Sequence, residues 1–158
     1  MYVLTENVHT NAGDQRMNNN QTILNSLLKT TQRGQVEIRS LLDTAMEPQL
    51  RCTLEEQLRE YESIETEAHV LALQRGWELR EMDTAHRFLR DRMTRMKLSG
   101  CNTDSRIADL LIQMHTKGMI RGLQELNRFP EKDPQIRILS QKLLDCETAG
   151  IRQMQSFL

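Results

Sequence analysis

The side chains in this sequence with the most chemistry to offer are His115, in SRIADLLIQMHTKGMI, and Glu147, in LLDCETAGIRQMQSFL. Each interrupts an otherwise apolar helical stripe. An imidazole and a carboxylate set into apolar surroundings must hydrogen-bond each other or share a metal. Glu65 lies beside the apolar stripe of an earlier segment, between Tyr61 and Ala68. Together Glu65, His115 and Glu147 would make a non-standard carboxylate/histidine site for one divalent ion, Fe or Mn. A di-iron or di-manganese carboxylate centre asks for more: a glutamate from each of two helices and Glu-x-x-His from each of two others. That pattern fails here. His69 is preceded at i−3 by Thr66 and His115 by Ile112, while Asp83-x-x-His86 and Glu6-x-x-His9 fall in a connecting segment and an N-terminal tail. The expectation is a structural His115–Glu147 pair with no cofactor, and the three-residue metal site is the sharper alternative.

Other chemistries find less support. There is no GxSxG elbow, no glycine-rich phosphate loop and no cysteine with a convincing histidine partner, so an enzyme is not expected. Cys52, Cys101 and Cys146 are widely spaced and odd in number, which points to reduced thiols in a cytoplasmic protein rather than a disulfide framework. Met82, Met93, Met96, Met114 and Met119 read as adaptable core filler or an interface, not a copper box. Gly118 and Gly122 form GxxxG, which lets a second backbone come close, either within the fold or across a helix–helix dimer interface.

The elements that must position these residues are helical. The 158 residues carry 38% hydrophobic but only 4% aromatic side chains, nine Met, and just seven Gly and three Pro. An aliphatic core on long uninterrupted segments favours an all-helical fold. The net charge of −1, with acids and bases interspersed, leaves no basic footprint for nucleic acid and no polybasic membrane patch. No apolar run spans a bilayer, and the N-terminus lacks the basic and apolar regions of a secretory signal.

In chain order, residues 1–21 read as a flexible polar tail and 22–158 as one domain. A first helix runs from Thr22 on the stripe Ile23, Leu24, Leu27, Leu28, Ile38, Leu41, interrupted by Thr31, Gly34 and Gln35, polar breaks that need partners. Pro48 opens a second helix, which ends at Gly76. The break between them is so short that the two must be antiparallel. Residues 76–103 form the longest connection. A short helix at about Thr84–Leu98 is expected there, with Ala85, Phe88, Leu89, Met93 and Met96 facing inward. A third main helix covers Ser105–Phe129. Asp133 caps a fourth and Pro134 opens it.

Two antiparallel hairpins joined by a long crossover define a ferritin-like four-helix bundle. Residues 105–120 and the C-terminal LLDCETAGIRQMQSFL also resemble a group of small uncharacterised ferritin-like proteins of anaerobic gut bacteria, which carry variants of IADMLIQGxxMGI and EExNIExLKxYL. The likeness covers about 22–158. It implies the bundle and no activity. The expected function is therefore non-catalytic, through a homo-oligomer or a protein partner.

Overall fold

The computed structural model describes residues 7–98 and 104–158, with side chains from Gly13 onward. It contains five helices and, among the described residues, no strand: α1 (Asn7–Leu42), α2 (Pro48–Arg75), α3 (Thr84–Leu98), α4 (Asp104–Arg128) and α5 (Pro134–Gln155). Helix α1 begins at Asn7 rather than Thr22, so residues 7–21, expected as tail, belong to its first turns. Residues 1–6 and Cys101 lie outside the described residues.

Local chemistry explains the boundaries. Gly76 ends α2 in the left-handed conformation, with φ of 68°. The following Trp77 N–H bonds back to Ala72 O at 2.9 Å. This is the glycine-terminated closure the sequence calls for. Asp133 caps α5 by accepting from Gln135 N at 2.8 Å, with Pro134 at the first helical position. Asp104, at the start of α4, accepts from the N–H groups of Met46 and Glu47 at 2.9 and 2.8 Å, tying α4 to the turn between α1 and α2.

Contacts between the helix ends fix their directions. Arg75, Asp133 and Asn20 meet at one end of the molecule. The α1–α2 turn and Asp104 meet at the other. Helices α2 and α4 therefore run one way, and α1 and α5 the other. α1 packs on α2, α4 on α5, and the two pairs face each other. The fully buried side chains come from all four: Leu24, Leu28, Ile38 and Leu41 of α1, Leu50, Leu54 and Ile64 of α2, Ile107 and Leu111 of α4, and Ile136 and Met154 of α5. Each contributes roughly 1.5–3 kcal/mol of hydrophobic stabilisation.

The crossover returns along α1. Side-chain amides of α1 hold its first part: Gln21 donates to Glu78 O, while Asn25 and Gln32 accept from the N–H groups of Arg80 and Met82. α3 then docks on the same helix, but by the face opposite to the expected one. Ser40 donates to Asp91, Arg90 pairs with Glu37, and only Thr94 of α3 is buried. Phe88, Leu89, Met93 and Met96, expected to point inward, are 52–71% exposed. The reason lies in the end of α1 and the residue after it, whose surface at this level is Glu37, Ser40 and Asp43 and offers polar partners instead of an apolar groove.

Candidate functional site

Near the middle of the bundle α2, α4 and α5 each place polar side chains in the core. Gln57 and Tyr61 share one face of α2 at i,i+4 spacing, His115 comes from α4, and Glu147 and Gln153 come from α5. Gln57, Tyr61, His115 and Glu147 are all buried. Their hydrogen bonds form one chain. Tyr61 OH donates to Glu147 Oε2 at 2.9 Å. His115 Nδ1 lies 2.8 Å from the same oxygen and 3.2 Å from the phenol. His115 Nε2 lies 3.1 Å from Gln57 Oε1, and Gln57 Nε2 donates to Gln153 Oε1 at 2.8 Å. The Tyr61 and His115 rings are nearly parallel, 9° apart, with centroids separated by 6.2 Å.

The proton inventory follows from donor and acceptor identities. Burial first, and then the neighbouring Glu147 charge, push the Tyr61 phenol well above its usual range, so it stays a neutral donor. Nδ1 faces the carboxylate and the phenol, and Nε2 faces the Gln57 oxygen. The orientation of the Gln57 amide therefore decides whether Nε2 donates or accepts. A buried carboxylate left without partners would cost several kcal/mol; here two donors meet a single oxygen.

Each of the three central groups sits against a glycine of a facing helix. A Cβ on Gly34 would lie 2.6 Å from Tyr61 Cε2, one on Gly118 2.3 Å from Glu147 Oε1, and one on Gly150 2.4 Å from His115 Cε1 and Nε2. Three helices thus give up a side chain so that three polar groups can meet. Burial also lifts the adjacent Cys146 thiol far above its ordinary value, ahead of the Glu147 charge, leaving it an inert core group.

The structure brings His115 and Glu147 together, as their positions in the sequence imply, and keeps Glu65 apart from them. Glu65 lies on the α1–α2 face, accepting from Gln32 Nε2 at 2.8 Å and from Gln35 Nε2, with His69 Nε2 at 3.8 Å. Burial raises the Glu65 acid, but the two amides, with His69 and Arg87, outweigh it and hold the carboxyl below its usual range. Among the described residues no group of three or more His, Cys, Asp or Glu side chains converges to hold a metal ion. The proposed Glu65–His115–Glu147 ligand set is therefore not assembled, because two α1 glutamines take the Glu65 carboxylate. The polar breaks in the α1 stripe find their partners here: Gln35 on Glu65, Thr31 on the carbonyls of Leu27 and Leu28, and Gly34 against the Tyr61 ring.

Gly118 and Gly122, the candidate dimer surface, are also used within the chain. Gly118 takes the Glu147 carboxylate, and a Cβ on Gly122 would meet Leu144 Cδ2 at 2.9 Å. The sequence reading missed Gln57 and Gln153 as network members. It also missed Arg33, Arg90 and Arg121, which line a cleft whose floor includes Tyr61 and Glu147. Gln57 carried a usable signal, one turn before Tyr61 on the buried side of α2. The arginines carried none, because they come from three separate helices. No described helix is long and apolar enough to cross a membrane. No family model, curated protein or solved structure matches this chain.

Proposed function

We propose that the chain is a ferritin-like four-helix bundle that works without catalysis, by associating with a second copy across the outer face of α3. The observation that carries this reading is the reversal of α3. A helix docked by Arg90, Asp91 and Thr94 leaves Phe88, Leu89, Met93 and Met96 uncovered, with Leu89 and Met93 also bordering the cleft lined by Arg33, Arg90 and Arg121. These residues recur at i, i+1, i+5 and i+8, on one side of the helix. Four large apolar side chains exposed along one side of a helix form a candidate interaction surface. A two-fold partner presenting the same stripe matches it apolar against apolar, the self-complementarity a symmetric dimer needs. The helix pairing and the crossover direction support the ferritin-like arrangement. The mutual hydrogen bonds of Tyr61, His115 and Glu147, all three nearly fully buried, support a structural role for the network.

Light scattering and sedimentation on the full chain test the reading. The wild type is expected to be dimeric and Leu89→Glu/Met96→Glu monomeric, with little change in monomer stability because both side chains are exposed. A wild type that stays monomeric as its concentration rises, or a variant that dimerises equally well, would defeat self-association and move the search to a different protein partner.

A further inference from the structure

Between α1, α3 and α4 lies a cleft of about 200 Å³. Its wall is cationic to a degree that the chain's net charge of −1 conceals. Arg33 from α1, Arg90 from α3 and Lys117 and Arg121 from α4 line it, with Lys97 near the end of α3. The opposing acids are Glu37, already paired with Arg90, and Glu147, held at the floor by Tyr61 and His115. Among the described residues, Arg33, Lys97, Lys117 and Arg121 make no ion pair within 4.0 Å. The Nε–H groups of Arg33 and Arg90 are buried without a hydrogen-bond partner. Orphaned donors of this kind call for an explanation in a folded protein.

Like charges gathered around a cavity are unfavourable by themselves. Burial, followed by the charges of Arg121 and Arg90, depresses the Arg33 guanidinium below its ordinary value. An anion accepting from the terminal Nη–H groups of these forks would offset the repulsion, and guanidinium geometry suits a tetrahedral oxyanion. The floor carboxylate of Glu147 keeps such an anion up near the arginines, away from the base of the cleft. Leu41, Leu89, Met93 and Met114 complete the lining and give the cleft an apolar side.

We propose that this cleft binds a small phosphate monoester, with the phosphate held by Arg33, Arg90 and Arg121 and a compact apolar body lying against Leu89, Met93 and Met114. The proposal concerns the cleft alone; because Leu89 and Met93 border both the cleft and the outer stripe, binding is read at protein concentrations on either side of any dimerisation, so that the two readings fail separately.

Calorimetric titration of the full chain with phenyl phosphate, and separately with inorganic phosphate at matched ionic strength, provides the test. Saturable binding of phenyl phosphate is expected, tighter than that of phosphate alone. Arg33→Gln and Arg121→Gln should each weaken it about tenfold or more, since each removes a charge-assisted contact. Both variants should keep the helical circular dichroism of the wild type, which separates loss of binding from loss of fold. Lys142→Gln, on the far side of α5 and paired with Glu67, should leave affinity unchanged. Absence of saturable phenyl phosphate binding would overturn the proposal. So would equal affinity for inorganic phosphate, equal weakening by Lys142→Gln, or affinity undiminished in both arginine variants.

Discussion

Alanine at position 150 would put a methyl group where the edge of the His115 ring already lies. The new Cβ would stand 2.4 Å from Cε1 and Nε2 and 2.7 Å from Cδ2, well inside van der Waals contact. The ring cannot simply swing aside, because Nδ1 is held at Glu147 and Nε2 at Gln57, in a site with no exposure. Two effects compete. Glycine in a helix interior costs about 1 kcal/mol relative to alanine, so the substitution by itself should stabilise. Overpacking a tight core costs about 1–3 kcal/mol, and losing a hydrogen bond to a charged group costs a further 1.5–3 kcal/mol or so. The clash wins, and Gly150→Ala should lose about 2–4 kcal/mol. At roughly 2–4 °C per kcal/mol for a domain of this size, the melting temperature should fall by about 4–16 °C. Gly13→Ala is the internal control: its Cβ would meet nothing within 4 Å, so it should gain stability or stay level. Urea unfolding of both variants gives the comparison. If Gly150→Ala matched Gly13→Ala, the ring would not be pinned against α5 and the account of the network would be wrong.

The same logic covers Gly34→Ala and Gly118→Ala, which intrude on Tyr61 and Glu147 and should also destabilise, as denaturant midpoints will read. His115→Leu leaves Glu147 buried with the phenol as its remaining partner and should cost about 3–5 kcal/mol, whereas His115→Leu/Glu147→Leu, which removes both polar groups, should recover most of that loss; a double variant no better than the single would contradict the pairing. Because the folded Tyr61 value is raised, its stabilising share is complete below the ordinary 10.0 and is lost as pH climbs through the folded value. In a Tyr2→Phe background, phenolate absorbance should accordingly stay flat beyond pH 10 and appear only together with alkaline unfolding. Glu65 is the opposite case: its folded value is depressed, so its share is complete above the ordinary 4.5 and is lost as pH falls through the lower folded value. Glu65→Gln should flatten that acid limb of the stability profile, and an unchanged limb would assign the acid sensitivity elsewhere.

What the sequence disclosed and what it hid follow from how each signal is written in the chain. Helix ends were legible because capping is local: Pro48, Gly76, Asp133 and Pro134 act on their own backbone and sit where expected. The extension of α1 back to Asn7 was not, since the polar residues 7–21 carry no apolar stripe to announce a helix. The His115–Glu147 pair was legible because a charged group within an apolar stripe has few possible partners, and the short turn before α5 sets the two residues level. Glu65 misled because its spacing put it beside the stripe of α2 without saying which helix it faces there, and two α1 glutamines claimed it.

The reversal of α3 was hidden for a related reason. An apolar stripe predicts burial, yet it does not name what does the burying, and the surface beneath offers Glu37, Ser40 and Asp43. The polar face of α3 carries Arg90 and Asp91, which match that surface charge for charge and hydroxyl for carboxylate. Docking by the polar face satisfies those groups, and its consequence is a set of exposed apolar side chains along α3. The same docking sets Arg90 across from Arg33 and Arg121, so one choice of helix face creates both the exposed stripe and the cationic cleft. Charge reversal at Glu37 and Arg90 together, Glu37→Arg/Arg90→Glu, should therefore keep α3 in place, whereas Arg90→Glu alone should loosen it. Hydrogen exchange across residues 84–98 would register the difference, and equal protection in the two variants would mean that something other than this polar contact holds α3.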